Sequence, residues 1–203
     1  MIKKVLIAAA LMGILIYFIN EALPSPSAYF AEINALRRAK NNSFRNSPES
    51  PIPAAQRAQF DSLKYYPAVV DFRITASISR NSQPDTVLIQ TSDNQTEKYL
   101  RWGQATFKLA EKPQQLTLFR HAGGADSTLF VPFTDLSNGR ETYGGGRYLD
   151  VARPKADASE IELDFNRSYN PYCAYNDEYS CPVPPAENRL PVAITAGEKS
   201  FHD

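Results

Sequence analysis
The chain reads as an all-β protein, an antiparallel β-sandwich or partly open β-barrel preceded by an N-terminal helical segment. Three observations predict it. Val70, Phe72, Ile74, Ala76 and Ile78 alternate with Asp71, Arg73, Thr75, Ser77 and Ser79, the two-residue period of a half-buried strand. Further short strand-like runs follow, with turn signals about every ten residues. No strand–helix alternation of the kind a parallel sheet requires is present.

Composition agrees with this class. The 203 residues suit one domain with an adequate core. Fifteen prolines against nine glycines, with eleven Tyr and eleven Phe, favour β-structure joined by rigid loops. Lys plus Arg and Asp plus Glu balance at 22 each, so no basic excess marks a nucleic-acid binder.

In chain order, Lys3 and Lys4 precede the uncharged run Val5 to Ile19, and residues 1–24 are expected to be a signal peptide or an uncleaved membrane anchor. Fifteen residues reach the upper limit of a signal core and fall short of a typical spanning helix. No small-x-small cleavage site follows, so anchoring through residues 5–19 is favoured, with the body on the extracytoplasmic side, in the periplasm or cell envelope. Residues 25–203 then form a single domain with a helical lead over about 28–60. Ser25-Pro26-Ser27 supplies an N-cap for a helix from about Ala28 to Lys40, with Tyr29, Ile33 and Leu36 on one stripe and Asn41-Asn42 fraying its end. Prolines 48, 51 and 53 break the chain before a short helix from Ala54 to Phe60.

Beyond the first strand, runs are expected at Thr86 to Thr91, Tyr99 to Leu109, Leu116 to Arg120, Leu129 to Phe133, Arg147 to Val151, Glu160 to Phe165 and Val192 to Thr195. Gly103 marks a bulge or bend in the second of these.

Two irregular stretches stand out. Phe133 to Asp150, FTDLSNGRETYGGGRYLD, contains a tight-turn Asn138-Gly139 and a Gly144-Gly145-Gly146-Arg147 run. That run either lays backbone donors and a guanidinium against an anion or simply permits a sharp bend. The sharp bend is preferred, because phosphate cradles normally open a helix. Asp164 to Arg189 holds both cysteines, four prolines, four tyrosines and four asparagines. A segment so rich in turn formers is neither helix nor central strand, and loops this long in compact domains are functional or disordered. Cys173 and Cys181 are read first as a disulfide, stabilising by about 2.5 kcal/mol on loop entropy. A metal pair comes second, since zinc wants about four ligands and often C-x2–4-C spacing, and only His121, beside a glycine turn, and His202, in the tail, are available to help. A thiol nucleophile comes third and lacks an identifiable His partner. Carboxylates gather nearby, so Asp135 or Glu141 with Asp164 are candidate catalytic acid–base residues of a hydrolase. Tyrosines 143, 148, 169, 172, 175 and 179 could build a stacking platform or cover a core edge.

The run Ser43 to Pro67, the FTDLSNGRETYGGGRYLD block, the DFNRSYNPYCAYNDEYSCPVPPAENRLPVAI block and AGEK, in that order, resemble the DUF1684 family, a group of bacterial proteins defined by sequence. The resemblance covers nearly everything after Tyr29. Matching positions include Asp135, Asn138, Gly139, Tyr143, Gly144, Gly146, Arg147, Asp164, Asn166, Tyr169, Asn170, Cys173, Cys181 and Asn188. It implies a single domain of this kind and supplies no reaction, cofactor or catalytic residue.

The expectation is a small-molecule or glycan binding module whose two loops share one rim. Arg140 and Arg147 would hold an anionic or hydroxyl-rich group beside Asn138, Gly144 and Gly146. Tyr143 and Tyr169 would flank it, with Asn166, Asn170 and Asn188 as hydrogen-bonding residues. The carboxylate hydrolase is the alternative. A structural role, with tyrosines and asparagines tying the loops down, is the third reading.

Overall fold
A computed structural model describes residues 25–123 and 127–202. The leader expected over residues 1–24 lies outside the described residues. The chain divides into two compact units, Met1–Arg37 and Arg38–Asp203. Helix α1 spans Pro26–Asn46 and so runs through the boundary. In the first unit Ser25 caps it, its hydroxyl accepting from Ala28 N at 3.2 Å, and Pro26 occupies the first turn, where its missing N–H costs nothing.

In the second unit α1 continues past Asn41 and Asn42, where fraying was expected. Asn42 Oδ1 accepts from Asn46 Nδ2 at 2.7 Å, and Asn41 Oδ1 accepts from Leu63 N at 3.0 Å. Both side chains are thus engaged away from the helix backbone they would otherwise compete with. Helix α2 is shorter than expected, Ala54–Arg57. Arg57 donates to the carbonyls of Ile52 (2.8 Å), Ser47 (2.9 Å) and Ser50 (3.2 Å), which folds the Pro-rich corner back on itself. Phe44, Ile52, Phe60, Leu63 and Tyr175 make a small apolar cluster there.

The body is a seven-stranded, entirely antiparallel sheet curled into a nearly closed barrel. Its strands are β1 Arg73–Arg80, β2 Thr86–Gln90, β3 Thr96–Leu109, β4 Lys112–His121, β5 Thr128–Phe133, β6 Arg147–Ala152 and β7 Glu160–Asp164. They lie in the order β6-β5-β4-β3-β1-β7, and β2 pairs with β3 beside β1. Fourteen-residue β3 serves both neighbours, carrying β2 along Thr96–Leu100 and β1 along residues 103–106. The bulge expected at Gly103 is present, as the β3–β4 register shifts between Arg101 and Gly103. A Cβ at Gly103 would sit 2.5 Å from Ser79 O, so only glycine lets β1 approach.

The barrel interior is filled by Ala76, Ala105, Phe107, Leu116, Leu118, Leu129, Val131, Phe133, Leu149, Val151, Ile161, Leu163, Phe165, Leu190, Ile194 and Ala196. These are mainly the inward set that a period of two selects. Two strand expectations are corrected. Val70–Phe72 forms a 3₁₀ turn before β1. The run Val192 to Thr195 is no strand, because its backbone groups serve side chains, Ile194 N donating to Asp135 Oδ1 at 3.2 Å.

Strands β4 and β5 splay apart beyond their Phe119–Phe130 pair. Asn188 fills the gap as a surrogate peptide. Its Oδ1 accepts from Thr117 N at 2.7 Å, and its Nδ2 donates to Thr117 O at 2.9 Å and Pro132 O at 2.8 Å. Replacing Asn188 by Ala strands three buried backbone groups, each worth about 1–3 kcal/mol when unsatisfied. We expect Asn188→Ala to lower the free energy of unfolding in urea by several kcal/mol, where substitution of the exposed Gln83 between β1 and β2 should change it little.

Candidate functional site
The two irregular stretches do meet, and they meet inside. Arg147, first residue of β6, is fully buried. Gly146 before it has φ +94°, and a Cβ there would lie 2.8 Å from Phe133 O, so the glycine run is a bend that turns the arginine inward. Arg147 Nη2 donates to Asp135 Oδ2 and Ile194 O, both at 2.8 Å, and Nη1 donates to Ala196 O and, at 3.2 Å, to Glu198 O. Asp135 Oδ1 also accepts from Ser137 N at 2.8 Å. The guanidinium carbon lies 5.4 Å from the centre of the Phe133 ring. This buried ion pair therefore gathers three backbone carbonyls of the C-terminal segment around one cation.

The remaining polar residues extend the same network. Glu198, 1% exposed, accepts from Lys40 Nζ at 2.7 Å, from Asn170 N at 3.3 Å and from the Tyr175 hydroxyl. Burial, then the nearby Glu198 carboxylate, pushes the Tyr175 pKa well up, so the phenol stays a donor. Lys40 Nζ lies 5.1 Å from the Phe44 and Tyr169 ring centres. Asn166 Oδ1 accepts from Val69 N at 2.9 Å and its Nδ2 donates to Val69 O at 2.8 Å. Asn170 Nδ2 donates to Lys199 O at 2.8 Å, and Asn138 Nδ2 to Tyr143 O at 2.8 Å.

Of the expected binding residues, then, Asn138, Arg147, Asn166, Asn170 and Asn188 spend most of their polar groups on the chain itself, with Arg147 Nε and Asn170 Oδ1 left without a hydrogen-bond partner among the described residues. Gly146 shapes the bend, while Arg140 and Gly144 are exposed on the turn. The three candidate catalytic carboxyls have separate partners. Asp135 is held by Arg147, Asp164 Oδ2 accepts from Arg167 Nε at 3.2 Å, and Glu141 accepts from the Tyr66 hydroxyl at 3.0 Å. The expected disulfide is not formed, and Cys173 and Cys181 are both free and buried. Cys173 N instead donates to Cys181 Sγ at 3.2 Å.

A cavity of about 480 Å³ lies beside this network, on the outer face of the sheet. Its floor is made by alternate residues of four strands: Glu97 and Tyr99 of β3, His121 of β4, Thr128 and Phe130 of β5, Tyr148 and Asp150 of β6. The cysteine loop covers it with Tyr169, Pro171, Tyr172 and Tyr179–Pro182. That loop is ordered because it is laced to strands at both sides. Tyr148 and Tyr169 exchange backbone hydrogen bonds of 2.8 and 3.0 Å, and Val183 N donates to Gln90 O at 2.7 Å.

Rings dominate the lining. Tyr99 stacks on Phe130 at 5.4 Å, Phe130 meets Tyr148 edge-on at 4.7 Å, and Tyr148 meets Tyr169 at 5.8 Å. Tyr99 donates to Glu97 at 2.9 Å, Tyr169 to Asp150 at 2.7 Å, and Tyr148 to Pro182 O. Burial foremost raises the pKa of Tyr99, Tyr148 and Tyr169, so all three remain neutral donors. Asp150 keeps solvent on one side, yet crowding by protein raises its pKa, opposed by the Tyr169 hydrogen bond. Arg120 also lines the cavity, and its buried Nε has no hydrogen-bond partner among the described residues.

Sequence reasoning anticipated Tyr148, Tyr169, Tyr172 and Tyr179 as a possible platform and missed Glu97, Tyr99, Arg120, His121 and Phe130. One signal was available: the consecutive apolar residues Leu118-Phe119 break the alternation of β4, which means both faces of the sheet are covered there.

The family model described as "Protein of unknown function (DUF1684)" matches residues 58–199. Among solved structures, the chain is similar to the solution NMR structure of an uncharacterized protein from gene locus rrnAC0354 of Haloarcula marismortui. The two are 38% identical, the match covers 87% of this chain and 97% of that one, and the TM-score is 0.70. No curated protein matches.

Removing one partner of a buried ion pair leaves the other charge uncompensated, at about 3–5 kcal/mol. Arg147→Met should destabilise by that amount in chemical denaturation. Adding Asp135→Asn should recover part of the loss, and the three orphaned carbonyls should keep the recovery incomplete.

Proposed function
The chain belongs to the DUF1684 family, described as proteins of unknown function, and we propose that it is a binding module for a small carbohydrate-like ligand, held in the aromatic cavity over β3 to β6. The observation that carries this reading is the lining itself. Six rings line one cavity, from Tyr99, Phe130, Tyr148, Tyr169, Tyr172 and Tyr179, and give a sugar ring an aromatic wall to pack on. Glu97 and Asp150 accept hydroxyl protons, and Arg120 and His121 donate. About 480 Å³ accommodates a mono- or disaccharide. Because Tyr hydroxyls already orient both carboxylates, binding needs little further ordering of the floor.

We also propose that residues 5–19 keep the module at a membrane. The support is the pair Lys3 and Lys4 before an uncharged run. The full chain expressed in a bacterium should then sediment with membranes and resist a salt wash, whereas recovery in the supernatant would refute anchoring.

Saturation-transfer NMR against a panel of mono- and disaccharides tests the ligand. Tyr172, 43% exposed, can be changed without disturbing the core. Tyr172→Ala and Asp150→Asn should each weaken binding by about tenfold, equivalent to roughly 1.4 kcal/mol. Binding of choline-like cations with no sugar bound, or affinity untouched by both substitutions, would overturn the assignment.

A further inference from the structure
The two cysteines lie between the aromatic cavity and a second, smaller crevice, one on each side, with Tyr179 and Ser180 lining both. Cys181 lines the aromatic cavity, while Cys173 lines a crevice of about 240 Å³ together with Ser92, Asp93, Tyr143 and residues 177–180. Neither thiol is used by the buried network or by the proposed ligand site. We propose that Cys173 and Cys181 form a redox-active dithiol, in which Cys173 attacks a low-molecular-weight disulfide entering the smaller crevice and Cys181 resolves the product.

The geometry gives each sulfur a distinct part. Cys173 opens to the crevice, and the Tyr143 hydroxyl lies 3.7 Å from its Sγ. Cys181 sits behind it, its Sγ accepting the Cys173 backbone N–H at 3.2 Å. Eight positions of chain separate them, looped back by the 3₁₀ turn Tyr172–Ala174 and pinned by Ser92, which accepts from Cys181 N at 3.1 Å. The electrostatics agree with the geometry. Hydrogen bonding from the Cys181 thiol first, and then from Tyr143 and Ser92, draws the Cys173 pKa down to about 6 against the burial that opposes it. Tyr143 is itself pushed up to about 12, chiefly by burial, and stays a donor. Cys181 is raised, its proton held in the bond to Cys173. Asp93, Asp177 and Glu178 line the same crevice and favour an oxidant without negative charge.

The exchange balances as follows. The Cys173 thiolate attacks one sulfur of the small disulfide, forming a mixed disulfide and releasing one small thiolate. Cys181 gives up its proton to that thiolate and attacks the Cys173 sulfur, forming the Cys173–Cys181 bond and expelling the second small thiolate, which takes a proton from water. Two cysteines lose two electrons, and one small disulfide becomes two thiols.

Cystamine, a cationic disulfide suited to the acidic crevice, is the probe. The reduced full chain is treated with it under native conditions, quenched in acid, alkylated with a maleimide and weighed intact. The expected product is lighter by two hydrogens and takes no maleimide. Cys181→Ser should trap one cysteamine in a mixed disulfide at Cys173, and Cys173→Ser should react at Cys181 at least about tenfold more slowly. The wild-type rate should rise only about twofold between pH 6 and pH 8, where an ordinary thiol of pKa about 8.5 rises by well over tenfold. Because the wild type is also compared with itself in concentrated urea, where this advantage near pH 6 should vanish, the test does not depend on the variants folding. Two cysteines still alkylated after treatment, equal rates at both, or a bridge that resists excess dithiol in the native state would overturn the proposal.

Discussion

The structure depends on a single buried cation. Arg147 cannot remain charged inside the barrel without replacing its lost hydration, and it does so with one carboxylate and three main-chain carbonyls. Those carbonyls belong to Ile194, Ala196 and Glu198, in a segment with no ladder of its own. Satisfying the guanidinium therefore fixes the path of the C-terminal segment over the β5–β6 edge. Gly146 and Asp135 exist in service of the same demand, one by turning the arginine inward and one by neutralising it. Glu198, positioned by this path, in turn orders Lys40, Asn170 and Tyr175.

Once that segment is fixed, the long cysteine loop becomes a rigid cover. Asparagine does most of the fastening because its amide presents the donor and acceptor of a peptide in a short side chain. Asn188 stitches β4 to β5, Asn166 ties down Val69, and Asn170 holds Lys199. Tyr99, Tyr148 and Tyr169 are left with their rings on the sheet face and their hydroxyls anchored. Polar residues thus build the frame, and aromatic residues furnish the space it encloses. This division of labour reverses the reading in which Arg147 and the asparagines face a ligand.

How much of this was legible in the sequence follows from the range of each signal. Most strands and the Gly103 bulge were readable, and the helix start was readable to within two residues, because period two, a missing side chain and an N-cap hydroxyl act locally. The β3–β4 hairpin was harder. Its turn uses Ala110 at φ +50° and Glu111 at φ +58°, a left-handed pair with no Gly or Asn to announce it. The strands on either side, locked by ten register pairs, impose that turn on residues that would not choose it. The asparagines were visible as unusual, but whether an amide meets a ligand or a backbone carbonyl is decided by residues dozens of positions away. The same holds for Arg147, whose partners at 194 to 198 look like tail. The cavity floor was hidden for another reason: its residues come from four strands, and only their register brings Glu97, His121, Phe130 and Asp150 onto one surface.

The spacing between Arg147 and its acceptors sets an order on folding. Its carbonyl partners lie 47, 49 and 51 residues downstream. On a ribosome, β1 to β6 emerge first, and during that interval the arginine has only Asp135, twelve residues upstream, to neutralise it. A barrel assembled at that stage would enclose an under-solvated charge, so closure should wait until the carbonyls of residues 194–198 reach the arginine. Closing the barrel and docking the C-terminal segment would then be one cooperative step, since neither leaves the arginine solvated without the other.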